Sequence, residues 1–148
     1  MMLQNYITED MVQFVTNVRD WEEAIYTASK PLLEKGFVEE RYVQAMVENV
    51  KKFGPYIVLM PKVAMPHARP EDGVKRAGIS VMITKESVWF DEGKLVNLFF
   101  VLAANDASSH LSLLTKISEL LSDEEKVEAL LAAKSYQHIL PLLKGDLS

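Results

Sequence analysis

Apolar residues along the chain change period several times, and each change marks a boundary between predicted elements. Residues 1–11 show little periodicity and read as a lead-in with some ordered contacts. Residues 12–18 are rich in β-branched side chains and predict a strand, in competition with a helix starting at Thr8. Asp20 then has the chemistry of an N-cap. Trp21, Ala24, Ile25, Ala28 and Leu32 fall at helical spacing behind it, with Glu22 and Glu23 at the positive end of the dipole. Pro31 is expected to kink this helix and Gly36 to end it. A second helix is predicted over 38–53, with Tyr42, Ala45, Met46, Asn49, Val50 and Phe53 on one face, closed by Gly54-Pro55. Residues 56–60, 77–84 and 94–104 are apolar runs of strand length, and such continuous runs suit strands covered on both faces. The turn 105–109 launches a helix with Leu111, Leu114, Ile117, Leu120 and Leu121 toward the core. Ser122-Asp123-Glu124-Glu125 has a capping-box arrangement and opens a helix over 123–134, and Ser135 begins a last one ending near 144–145. Strands interleaved with helices predict a single α/β domain over 1–148, with a mixed four- or five-stranded sheet flanked by helices on both faces.

One stretch, residues 60–73, fits neither period. Pro61, Pro66 and Pro70 fix φ and withhold amide donors, so the segment reads as a stiff loop, neither helix interior nor central strand. It holds His67 between small and basic neighbours.

Bulk properties narrow what this loop does. At 148 residues, 49% hydrophobic and 25% charged, the chain has enough apolar content for one core. Lys62, Arg69 and Lys94 interrupt its apolar stretches, so no membrane-spanning segment is expected. The first residues lack a signal-peptide pattern, which points to a cytoplasmic protein. With no cysteine, disulfides, thiolate catalysis and most zinc sites are excluded. A formal charge of -5 argues against nucleic-acid binding.

The remaining chemistry rests on histidine. His138, among leucines of the last helix, is assigned no role. His110, just inside a helix start, is either a polar first-turn residue or part of an anion site with the free amides there. His67 is either a loop histidine bonded to a carbonyl or a nucleophile. An unprotonated ring nitrogen attacks phosphorus while a hydrogen bond orients the other, and Arg69 would favour the neutral ring and pair with phosphoryl oxygens. No Walker or dinucleotide fingerprint and no nucleophile elbow is present, and Glu71 and Asp72 alone make a poor metal site. Trp89-Phe90, ahead of a turn, reads as buried hairpin packing, with a docking surface or homodimer contact as the alternative.

Val63-Ala64-Met65-Pro66-His67-Ala68 resembles the phosphorylation motif of mannitol/fructose-type IIA components of the bacterial phosphoenolpyruvate-dependent sugar phosphotransferase system. The likeness extends over Asp20 to Ile25, Arg41 to Met46 and the apolar strand leading to His110. Residues 65–71 are most similar to the L-ascorbate-specific branch. The resemblance implies a phosphotransferase in which His67 accepts a phosphoryl group on Nε2 from phospho-HPr. It would pass the group to a cysteine of a IIB component, which serves a membrane IIC permease. It implies His110 as the supporting catalytic histidine, with no metal or organic cofactor, and the residues themselves make Arg69, Ser108 and Ser109 the candidates around the phosphoryl group. Mannitol-type relatives carry an arginine at the position aligned with Asn49, and Arg69 is expected to compensate for its absence. Met60, where related motifs have a small residue, is a second departure. With Met65 it is expected on an apolar surface that HPr and IIB share in turn. A regulatory IIA-like module, whose phosphorylation signals metabolic state, is the alternative; an inert partner-binding domain is a third reading.

Overall fold

The computed structural model describes residues 2–91 and 93–144. A short helix α1 (Leu3–Tyr6) and a 3-10 turn (Glu9–Met11) precede β1 (Val12–Val15). Two longer helices follow, α2 (Trp21–Glu34) and α3 (Glu40–Phe53), and then β2 (Val58–Met60) and β3 (Lys62–Ala64). A 3-10 turn (Pro70–Asp72) leads to the hairpin of β4 (Gly78–Asp91) and β5 (Lys94–Ala103). The chain ends in α4 (Ala107–Leu121), α5 (Glu124–Ala132) and α6 (Tyr136–Leu143). The sheet order is β1-β4-β5-β3-β2, with β1 parallel to β4, β3 parallel to β5, and the other two pairs antiparallel. This is the expected mixed sheet, with five strands.

Period-two alternation splits the apolar strands between two cores. In β5, Phe99, Val101 and Ala103 pack toward α2 and α3, while Leu98, Phe100 and Leu102 pack toward α1, α4, α5 and α6. Asp20 caps α2 by accepting from the Glu23 amide at 2.9 Å, as its position in the sequence predicts. Pro31 lies within α2, which continues to Glu34, and its ring is buried. Gly36 follows at φ 74.

Several elements differ from their expected bounds. Residues 12–18 form a strand only as far as Val15, and the competing helix at Thr8 is reduced to the 3-10 turn. The run 56–60 is strand only from Val58, because Tyr56 and Val58 still donate to Gly54 and Pro55 in the turn that ends α3. β4 runs on to Asp91 past the polar residues Lys85, Glu86 and Ser87, which are exposed. Pairing with β5 is interrupted between Ile83 and Val88, where the Glu86 amide donates instead to the Thr16 carbonyl at 2.9 Å, and it resumes at Val88. The histidine segment is not loop throughout: Lys62–Ala64 forms a strand between β5 and β2, fitting in the gap between Pro61 and Pro66 where every amide is available. Leu111, expected in the core, is 65% exposed, and Leu113 takes the buried position. Phe53 is likewise exposed, while Val43 and Val47 of α3 are buried. Phe90 packs against Trp21 and Phe99, but its neighbour Trp89 is on the opposite face of the strand and exposed. The last helix ends at Leu143 with Lys144 as its cap, beside the expected end at 144–145; Gly145 and the turn residue Glu92 lie outside the described residues.

Tyr42 of α3 ties the two halves of the molecule together. It is fully buried, and its hydroxyl donates to the Leu102 carbonyl at 2.6 Å while accepting from the Ala68 amide at 3.0 Å. Burial pushes its phenol far above the ordinary tyrosine range, so it stays a neutral donor. Tyr42→Phe would leave a buried N–H and a buried C=O short of a partner. It should lower unfolding stability by about 1–3 kcal/mol and accelerate hydrogen exchange at Ala68. Chemical denaturation and amide exchange measure the two effects.

Candidate active site

The loop after β3 is held by partners that replace what its prolines cannot supply. Pro66 offers no amide, yet its carbonyl accepts from the Leu102 amide at 3.0 Å. Met65 donates to Ile57, and Ala68 to the Tyr42 hydroxyl. The Tyr56 hydroxyl donates to the His67 carbonyl at 3.0 Å. At the exit, Asp72 accepts from the Arg69 amide and Arg41 donates to the Glu71 carbonyl. Gly73, at φ 132, closes the segment where an added Cβ would stand 3.2 Å from the Tyr42 amide nitrogen. His67 therefore projects from a backbone fixed on both sides.

The imidazole itself is oriented by its own loop. His67 Nδ1 lies 2.8 Å from the Met65 carbonyl oxygen, which only accepts, so in the neutral ring Nδ1 carries the proton. Nε2 keeps its lone pair. The Tyr56 ring stands edge-on to the imidazole at 5.7 Å between centroids. The His110 ring lies 5.6 Å from the imidazole between centroids, tilted by 57°.

His110 is placed by the cap of α4. Asp106 accepts from the Ser109 amide at 2.7 Å, and the Ser109 hydroxyl accepts from the Asp106 amide and donates to Asn105. Bonding with Ser109 and the local amides lowers the Asp106 carboxyl below its usual range. The amides of Ala107 and Ser108 have no carbonyl of a preceding turn to bond. Burial, and then the neighbouring His67, lower the His110 pKa, so this ring favours its neutral form.

A cavity of about 730 Å³ joins these parts. His67, Arg69 and His110 line it with Tyr56, Asn49 and Asp106. Ser108 and Ser109 sit in the adjoining first turn but not on its wall, and Ser109 spends its hydroxyl on the cap. Arg69 and Asn49 also share a second, smaller cavity with Lys52, Phe53 and Tyr56. Met65, expected at the surface, is 1% exposed and packs on the α4 side; Met60 is half-buried there. The exposed apolar residues near the cavity are instead Phe53, Tyr56 and Leu111. Tyr56 and Tyr42 were not marked by sequence as site residues, since an aromatic at the start of an apolar run or on a helix face reads as core. His138 is remote, accepting from the Lys134 amide.

Residues 5–145 match the family model described as the phosphoenolpyruvate-dependent sugar phosphotransferase system, EIIA 2. The chain belongs to this family. It is 37% identical over 144 residues to the mannitol-specific cryptic phosphotransferase enzyme IIA component of Escherichia coli (strain K12), covering 97% of this chain and 98% of the relative. The ascorbate-specific PTS system EIIA component of the same strain is 35% identical over 147 residues, covering 97% and 96%. The solution structure of the E. coli mannitol-specific cryptic IIA superposes with a TM-score of 0.91 at 36% identity, over 98% of this chain and 99% of the other. The E. coli mannitol IIA in complex with phosphorylated mannitol IIB gives 0.82 at 29% identity, over 93% and 96%. Components of this family transfer phosphoryl groups, and their fold is the one described above.

The His110 midpoint should lie below the ordinary value of about 6.5 and move up toward it in His67→Gln, where the second ring charge is gone. A histidine held neutral in the fold binds fewer protons than in the unfolded chain, so its contribution to stability falls as pH drops through about 6.5. Imidazole chemical-shift titration of His110 reads its midpoint directly.

Proposed function

We propose that this EIIA protein is a cytoplasmic phosphocarrier in which His67 is the phosphoryl acceptor. The observation that carries the reading is the Nδ1 hydrogen bond to Met65, which presents an unprotonated Nε2 at the wall of a cavity shared with Arg69 and His110. In the forward step Nε2 attacks the phosphorus of an N-phosphohistidine on HPr. A new P–N bond forms as the old one breaks; the donor ring, protonated on its other nitrogen, leaves as neutral imidazole, and the His67 ring takes over its positive charge. His67 keeps its Nδ1 proton, so no net proton moves. The group then passes to a cysteine thiolate of a IIB component, which serves a IIC permease.

Such a transfer is governed by placement and by charge at the equatorial oxygens. Arg69 supplies a cation to these oxygens, in the cavity it shares with Asn49. Neutral His110 donates one ring hydrogen bond, and the arriving dianion raises its proton affinity. Ser108 contributes its backbone amide, and Ser109 contributes through the cap that aims the helix start. No metal or organic cofactor has a part in this scheme. Phe53, Tyr56 and Leu111 form an apolar rim on which HPr and IIB dock in turn.

Both a mannitol-type and an ascorbate-specific relative match this chain at similar identity. Residues 65–71 favour L-ascorbate, or a related sugar, as the transported compound. A regulatory role remains the second reading, motivated by the likeness to the nitrogen regulatory protein IIA-Ntr from Neisseria meningitidis, at 25% identity and a TM-score of 0.78.

Incubation with phosphoenolpyruvate, enzyme I and HPr should yield an acid-labile, base-stable phosphate on this protein that is lost in His67→Gln. A phosphate that persists in that variant would place the acceptor elsewhere. Arg69→Ala should slow phosphorylation roughly tenfold or more, the scale of one charge-assisted hydrogen bond in the transition state. Rapid-quench kinetics with phospho-HPr measure it, and an unchanged rate would remove Arg69 from the site. Transfer to the cysteine of an ascorbate-type IIB, compared with a mannitol-type IIB, decides the substrate.

A further inference from the structure

Three groups from outside the histidine loop bond to the backbone around His67, and they differ in their access to water. The Leu102 amide holds the Pro66 carbonyl, the Tyr56 hydroxyl holds the His67 carbonyl, and the Tyr42 hydroxyl holds the Ala68 amide. Leu102 and Tyr42 are fully buried, whereas Tyr56 is 40% exposed and lines the cavity in front of His67. Local sequence puts it there. Gly54, at φ 85, ends α3, and the Tyr56 amide turns back to the Gly54 carbonyl at 2.8 Å across the stiff Pro55. The next residue, Ile57, accepts from the Met65 amide at 2.8 Å. Residues 56–57 and 65–67 are thus tied together twice, once through backbone and once through the tyrosine.

The same side chain meets His67 at a second point. Its ring stands at 83° to the imidazole, 5.7 Å between centroids, while its hydroxyl reaches the carbonyl of that residue at 3.0 Å. Partial burial raises the Tyr56 phenol above its ordinary range, against a hydrogen bond with the Asn49 side chain, so the hydroxyl keeps the proton it donates. Asn49, at the position aligned with the arginine of mannitol-type relatives, therefore has a partner in the tyrosine. A bond from a half-exposed hydroxyl competes with water and adds little to the free protein. Covering it removes the competitor and strengthens the bond. Tyr56 belongs to the rim on which the phosphoryl donor docks, so its hold on the loop is firmest during transfer.

We propose that Tyr56 is a positioning residue for phosphoryl transfer, whose hydroxyl clamps the His67 carbonyl and tightens when a partner protein covers it. The assignment rests on the reading of His67 as the phosphoryl acceptor. Tyr56 touches no reacting atom and acts through the histidine. A slack His67 carbonyl lets the ring turn away from its bond to Met65, and the tautomer that carries its proton on Nε2 has no lone pair there to attack phosphorus. Hydroxyl and ring have separable effects. The hydroxyl governs the rate once the donor is docked, and the ring, as part of the apolar rim, contributes to docking.

Tyr56→Phe in the whole chain keeps the ring and removes the hydroxyl. In rapid-quench kinetics with phospho-HPr its maximal transfer rate should fall roughly three- to tenfold, the scale of one neutral hydrogen bond, at an unchanged half-saturating concentration. Tyr56→Ala should raise that concentration as well. Nitrogen-15 spectra at mildly alkaline pH, where an imidazole is neutral, should show His67 protonated on Nδ1 in the parent protein and a mixture of both tautomers in Tyr56→Phe. The melting temperature should fall less than in Tyr42→Phe, whose hydroxyl is fully buried. An unchanged maximal rate, a loss confined to the half-saturating concentration, or identical ring spectra would each overturn the assignment. A melting loss as large as that of Tyr42→Phe would make the hydroxyl purely structural. Phosphate retained in His67→Gln would overturn the acceptor reading instead, and the ring spectra would still decide whether Tyr56 orients His67.

Discussion

The hydroxyl of Tyr42 is the contact on which the working end of this protein depends. It belongs to α3, yet its two strong bonds go elsewhere, to the carbonyl of Leu102 at the end of β5 and the amide of Ala68 just after His67. Three segments far apart in sequence are fixed by one buried oxygen. Because the group is fully desolvated, leaving either partner unpaired would cost more than the bond returns in water. The same oxygen therefore sets the distance between the histidine loop and the strand that leads into α4. His110 reaches His67 only because that strand ends where it does.

Around this contact the histidine loop solves a backbone problem created by its own prolines. Pro61, Pro66 and Pro70 cannot donate, and a short strand occupies the interval between the first two. Elsewhere the loop is held by tyrosine hydroxyls, by Asp72 and by Arg41, each satisfying a group that regular secondary structure would otherwise have taken. Stiffness here has a chemical use. The bond from Nδ1 to the carbonyl two residues earlier selects one tautomer, and such a bond holds its direction only if the carbonyl is itself immobile.

Electrostatics differ at the two ends of the sheet. Near His67 the exposed cation Arg69 shares a cavity with two rings, one of which favours neutrality through burial. The proposed phosphoryl chemistry needs a ring nitrogen left free by the Met65 bond and donors placed where negative charge arrives. At the far end, Lys62, Lys85 and Lys134 surround another hollow. The cavity at His67 thus mixes Arg69 with the carboxylates of Glu71 and Asp106, whereas no carboxylate of the described residues lines the far one.

Much of this fold was legible in the sequence because its signals are local. Helical spacing behind Asp20, the glycines after α2 and α3, and the apolar runs of β4 and β5 depend on residues that touch one another along the chain. The motif around His67 was readable for the same reason. The sequence alone did not place Leu111 outward or Met65 inward, nor continue β4 through Lys85 to Ser87, because those outcomes turn on what covers each face of the sheet and on backbone pairing. The short strand at Lys62 needed knowledge of its neighbours β5 and β2. Tyr42 and Tyr56 carried no sign of their bonds to the loop, since a hydroxyl that bridges segments dozens of residues apart leaves no period to detect. Local chemistry determined which residues could act; the long-range closure of the sheet decided which of them meet.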